Sequence, residues 1–139
     1  MRARALFVVL TALVGVTACG GDYPAATPAP TAVGCTDAPD LRQRALADRR
    51  LSEEAGSSQA KISSGTRASF YASLAIVAEL KCKVALAGVD EALKPALEAA
   101  RRAVDAGNFS DTASAWAEAN FRATQVIELL VQQLPVPAK

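Results

Sequence analysis

From Pro39 to Leu134 the apolar residues recur at intervals of three and four, the spacing that lays one face of an α-helix against a core. Over about 39–56 this period places Leu41, Ala45, Leu46, Leu51 and Ala55 on a thin stripe, with Asp37 or a neighbour as cap and Gly56-Ser57-Ser58 as the end. A stronger stripe over about 66–87 carries Phe70, Leu74, Val77, Leu80 and Val84, and Gly88 is placed to stop it. Residues 57–65 are either a loop or an N-terminal extension of this second helix, because Ser63-Ser64-Gly65 weakens a helix without forbidding one.

A third helix over about 90–106 repeats Val89, Leu93, Leu97, Ala100 and Val104, with Gly107 suited to the left-handed position behind it. Pro95 lacks an amide donor and crowds the preceding turn, so either the regular part starts near it or the helix bends there. Asn108 and Asp111 make a helix start, cap plus first-turn acid, for a fourth helix reaching about Leu134 before Pro135. Its stripe is wide: Ala113, Trp116, Ala117, Asn120, Ala123, Ile127, Leu130, Val131 and Leu134.

The composition is helical and no strand is predicted. The fold class is therefore all-α, a small antiparallel bundle of about four helices over residues 35–139. The stretch from Ala100 to Ala119 resembles one tetratricopeptide-type hairpin, but no second copy follows at the 34-residue period, which disfavours a solenoid.

Residues 20–34, GGDYPAATPAPTAVG, show no apolar period and hold Pro24, Pro28 and Pro30 among small residues, so they read as a disordered Pro/Ala-rich tether. Before them stand Arg2 and Arg4, an apolar run from Leu6 to Val16 and a small-residue exit, the layout of a secretory signal over residues 1–18. The run is too short for a membrane span, which takes roughly 20 residues. Val16-Thr17-Ala18-Cys19 resembles the lipobox of bacterial lipoproteins. That resemblance implies diacylglyceryl attachment to the Cys19 thiol, cleavage before it, and anchoring of the lipidated N-terminus, residues 19–34, in a membrane. It implies an address in the cell envelope: the outer membrane facing the periplasm in a Gram-negative source, where Gly20 replaces an inner-membrane retention Asp, or otherwise the outer face of the cytoplasmic membrane.

Removing 18 of 139 residues leaves 121, enough for one domain. The chain's 15 Lys and Arg lose Arg2 and Arg4 with the leader, leaving 13 against 14 acids. Such a balance argues against nucleic acid as a partner. Arg42, Arg44, Arg49 and Arg50 are interleaved with acids, and Arg49 to Glu53 and Arg50 to Glu54 have the spacing of helix-surface ion pairs. With Cys19 lipidated, Cys35 and Cys82 form an even pair in an oxidising compartment, either bridged or two buried thiols. A hairpin turning near residue 58 sets them almost equally far from the turn, which favours the bridge. Histidine is absent and methionine occurs only at Met1, so no transition metal and no cofactor are expected.

Catalytic constellations are fragmentary. Ser58-Gln-Ala-Lys61 fits the S-x-x-K pattern of penicillin-binding enzymes, but Ser110-Asp111-Thr112 only half matches their second element and no K-T-G follows. Glu53-Glu54 and Asp90-Glu91 are adjacent pairs, which diverge by about 100° on a helix and do not converge on one bond. Trp116, Phe109 and Phe121, or Phe70 and Tyr71, suit a core better than a ligand groove, and Asn120 reads as a satisfied buried amide or as the mark of a groove. No catalytic residue is expected. The functional expectation is a membrane-tethered module that binds or positions another envelope protein, using the groove that the thin first stripe leaves exposed. Its architecture, though not its sequence, is that of pilotins and exclusion or immunity lipoproteins. The alternative is a small-ligand or lipid-binding bundle.

Overall fold

The computed structural model describes residues 28–135, so Cys19 and its lipobox lie outside the described residues. Among these, four α-helices form: α1 (Ala38–Glu54), α2 (Ser58–Lys83), α3 (Val89–Asp105) and α4 (Phe109–Val131). A 3-10 turn, Cys35–Asp37, leads into α1.

Each boundary has a local cause. Asp37 occupies the cap position of α1, yet its carboxylate accepts from the Gly34 amide at 2.6 Å instead of from a helix amide, and Pro39 presets the first turn. Ala55 turns the chain out of α1, and the Ser57 hydroxyl accepts the Ala60 amide at 3.1 Å to start α2. Residues 58–65 are therefore helix. Their small side chains serve packing: a Cβ added at Gly65 would lie 3.2 Å from the Ser52 hydroxyl, and that hydroxyl donates to the Lys61 carbonyl at 2.8 Å. A local weakness in propensity thus allows α1 and α2 to approach closely.

The helix α2 ends at Lys83, earlier than Ala87, and Gly88 takes a left-handed φ of 81° directly before α3 instead of terminating α2. The sequence expectation for Gly88 is corrected accordingly. Pro95 is accommodated inside α3, which starts ahead of it at Val89; it is exposed, as is Glu91, whose carbonyl loses its ladder partner to the missing proline donor. Gly107 is not left-handed either: α3 leaves through Ala106 in an extended conformation, and Gly88 is the one positive-φ residue described. Asn108 caps α4 as expected, accepting the Asp111 amide at 2.9 Å while its own amide donates to the Asp111 carboxylate at 2.7 Å. Beyond Val131 hydrogen-bonded turns carry the chain to Leu134, where the Leu134 amide donates to the Val131 carbonyl at 3.1 Å.

Close backbone approaches run from α1 to α2, from α2 to α4 and from α4 to α3. Phe70 meets Trp116 and Ser73 meets Asn120, pairs that advance together, so α2 and α4 run parallel, and α3, which links them in sequence, packs against α4. Consecutive helices alternate in direction, and α2 joins the two hairpins. It accordingly buries residues around most of its girth, from Ser64 and Ala75 on the α1 side to Phe70 and Val77 toward α4.

The core is one cluster drawn from all four helices and Val33. Its faces on α3 and α4 are turned from the expected stripes: Ala96, Ala99 and Ala103 are buried where Leu97 and Val104 are only partly so. On α4 the buried line is Thr112, Trp116, Ala119, Ala123, Val126 and Leu130, leaving Ala117 and Val131 exposed. Residues 28–34 also pack against the helices: Val33 is 2% exposed, its carbonyl accepts from Lys81 at 2.6 Å, and Arg44 donates to the Pro28 carbonyl at 3.3 Å. The packed part begins ahead of Cys35.

Candidate interaction surface

Cys35 and Cys82 form a disulfide, with Cα atoms 5.0 Å apart across 47 residues of sequence. The α1–α2 hairpin turns at residues 55–57, and the antiparallel helices bring the cysteines together at its open end. The bridge ties the entry to α1 to the last turn of α2.

The fragmentary catalytic signals stay apart. Ser58 and Lys61 are exposed in the first turn of α2, where Ser57 is the capping residue. Asp111 is engaged at the α4 cap. Asp90 pairs with Lys81 at 2.6 Å and Glu91 with Lys94 at 3.0 Å, so the adjacent acids turn to different lysines. Glu53 and Glu54 lie exposed at the end of α1. Among the described residues no three His, Cys, Asp or Glu gather as a metal site, and no helix is long and apolar enough to cross a membrane.

The candidate aromatics divide. Trp116 is buried against Phe70, with ring centroids 5.5 Å apart, and against Tyr71 at 6.2 Å, while Phe121 is 60% exposed. Asn120 is half-buried rather than buried, and its amide oxygen accepts the Ser73 hydroxyl at 2.8 Å, which favours the satisfied amide of the two readings. Burial pushes the Tyr71 phenol above its ordinary pKa of 10.0, with Arg44 opposing that shift, Asp48 reinforcing it and Arg67 opposing it in turn. Asp48 and Arg67 pair at 2.8 Å in the α1–α2 interface, and the Arg44 guanidinium lies 4.6 Å over the Tyr71 ring. These groups are mutually satisfied and hold the hairpin together.

The outer side of the same hairpin is different. Between α1 and α2 lies an open groove of about 390 Å³, with Ala45, Ala72 and Ala75 along it and Leu46 and Ile76 on its sides. Leu46 is 52% and Ile76 44% exposed, although both are aliphatic. Leu46 was expected on the core stripe; α1 instead turns Ala38, Leu41, Ala45 and Asp48 inward. Arg42 pairs across the groove with Glu79, and Arg49 lines it with no ion-pair partner among the described residues. The expected Arg49–Glu53 and Arg50–Glu54 pairs do not form; of the cationic residues of α1, Arg42 reaches Glu79 and Arg44 the Tyr71 ring. The Asp48–Arg67 pair and Ile76 escaped sequence reasoning. Ile76 carried one usable signal, an aliphatic residue off the main stripe of its helix.

No family model, no curated protein and no solved structure matches the chain.

Proposed function

We propose that this chain is a lipid-anchored cell-envelope lipoprotein whose helical domain binds or positions another envelope protein and catalyses no reaction. The observation that carries the binding reading is the α1–α2 groove, where Leu46 and Ile76 face water over an alanine floor. An amphipathic helix recognises such a groove by burying its apolar stripe there. The address is supported by Val16-Thr17-Ala18-Cys19, and the disulfide is consistent with an oxidising compartment. Two or three acyl chains on Cys19 give a long-lived attachment, since one holds only marginally. In a Gram-negative source the domain faces the periplasm from the outer membrane.

The test is detergent-phase partitioning of wild type and Cys19→Ser, combined with in-cell crosslinking and mass spectrometry. Wild type partitions with membranes and yields a protein adduct, while the variant accumulates as uncleaved or mislocalised precursor. Normal processing of the variant would end the lipoprotein reading. Recovery of a stoichiometric lipid or small molecule with no protein adduct would turn the choice to a ligand-binding bundle.

A further inference from the structure

We propose that the α1–α2 groove receives an amphipathic helix whose apolar stripe is flanked by acidic residues, on the side of the domain turned away from the anchoring membrane. This rests on the protein-binding, lipid-anchored reading above.

The shape argues for a helix. Ala45, Ala72 and Ala75 lack bulk, and Leu46 and Ile76 rise beside them from two antiparallel helices, leaving a trough along which residues spaced three and four apart can insert. The exposed apolar side chains elsewhere, such as Phe121 and Leu129 on α4, do not share a concavity with them.

The charge argues for acidic flanks. Glu79 is the acidic residue of the groove, and Arg42 already neutralises it. Arg49 remains on the rim as a cation with no ion-pair partner among the described residues, while the exposed Arg50, Glu53 and Glu54 beyond it do not line the groove. Carboxylates beside an incoming apolar stripe meet this excess favourably, whereas lysines are repelled.

The attachment point argues against a lipid headgroup as the occupant. Arg44 stands two positions from both Arg42 and Leu46, about 200° round the helix at roughly 100° per residue, and it holds the Pro28 carbonyl. The chain from Cys19 therefore joins α1 on the flank opposite the groove. Nine residue steps separate Cys19 from Pro28, a reach of at most about 30 Å at full extension. A leash fastened to the far flank of α1 brings that flank nearer the anchor than the groove and so favours a groove turned toward the aqueous side.

Two synthetic helical peptides with the same Leu stripe at i, i+3, i+4 and i+7 test the chemistry, one flanked by Glu and the other by Lys, titrated by fluorescence anisotropy against the full mature protein in nanodiscs. The Glu peptide should bind at least tenfold tighter than the Lys peptide, and Arg49→Glu should reverse that order. Ile76→Asp and Leu46→Asp, at exposed positions and checked for unchanged circular dichroism, should each weaken the Glu peptide at least tenfold. Equal binding of the two peptides, or indifference to Ile76→Asp, overturns the proposal. In cells, a photocrosslinking residue at position 76 is compared with one at exposed Lys94 on α3. An adduct from position 76 that maps to an acid-flanked amphipathic helix supports the proposal. A protein adduct from position 94 alone leaves the protein-binding reading standing and overturns the groove. An adduct to a second copy or to lipid from position 76 overturns the occupant, and no protein adduct from either position overturns both readings.

Discussion

Removing the Cys35–Cys82 bridge should cost the domain about 4 kcal/mol, from the chain-entropy relation for a loop of sequence separation 47. Cys35 is half-buried and Cys82 exposed, so replacing both with Ser disturbs little packing and the loss reports the freed unfolded chain. Stability should fall most at α1, which buries only Ala38, Leu41, Ala45 and Asp48 and has α2 as its close helical neighbour. The assay is urea unfolding of wild type and Cys35→Ser/Cys82→Ser by far-UV circular dichroism, with hydrogen exchange on both. The melting temperature should drop by about 15 °C, at about 4 °C per kcal/mol for a domain of this size. The urea slope should rise because the uncrosslinked chain exposes more surface on unfolding, and α1 amides should lose protection ahead of those in α4. A stability change below about 1 kcal/mol, or uniform exchange across the helices, would refute the view that the bridge restrains the unfolded chain and secures α1.

Trp116→Ala removes the ring that packs on Phe70 and Tyr71 and should cost about 3–5 kcal/mol in the same denaturation assay; a loss under about 1 kcal/mol would contradict its central placement. Asp48→Ala strands the Arg67 cation and should destabilise by about 1–3 kcal/mol, below the fully buried case because both side chains keep some exposure, while Asp48→Leu/Arg67→Met should recover most of that loss. The coupling is read from a double-mutant cycle, and additive losses would refute it. Tyr71 holds its proton above the ordinary phenol value of 10.0, so the folded state binds more protons than the unfolded state above that pH. Its contribution to stability is intact below pH 10.0 and is lost as pH rises through the folded-state pKa. Tyr71→Phe should therefore show a shallower alkaline decline in stability than wild type, and parallel pH profiles would dismiss the role of this phenol.

Periodicity, capping chemistry and cysteine spacing act over a few residues or along one hairpin, and these features were legible. Four helical segments follow from the three-and-four spacing, the α4 start from Asn108 and Asp111, and the bridge from two cysteines equidistant from a turn. The α1–α2 groove was legible only as a thin stripe on α1; which residues line it was not. Tertiary contact decided the rest. Alanine and leucine are equally periodic, so pattern alone does not say which edge of a stripe faces inward. Packing of α3 against α4 turned Ala96, Ala99, Ala103, Ala119 and Val126 inward. At the start of α2, Ser63, Ser64 and Gly65 look like weak helix formers, yet Ser63 and Ser64 are buried and a Cβ at Gly65 would crowd the Ser52 hydroxyl of α1. Arg42 pairs with Glu79 because α2 brings a carboxylate across from it, and Leu46 stays in water because the helices that would cover it pack on the other side of the hairpin. Helix formation is local, whereas the choice of buried face and of ion-pair partner depends on neighbours distant in sequence, which only the folded chain assembles.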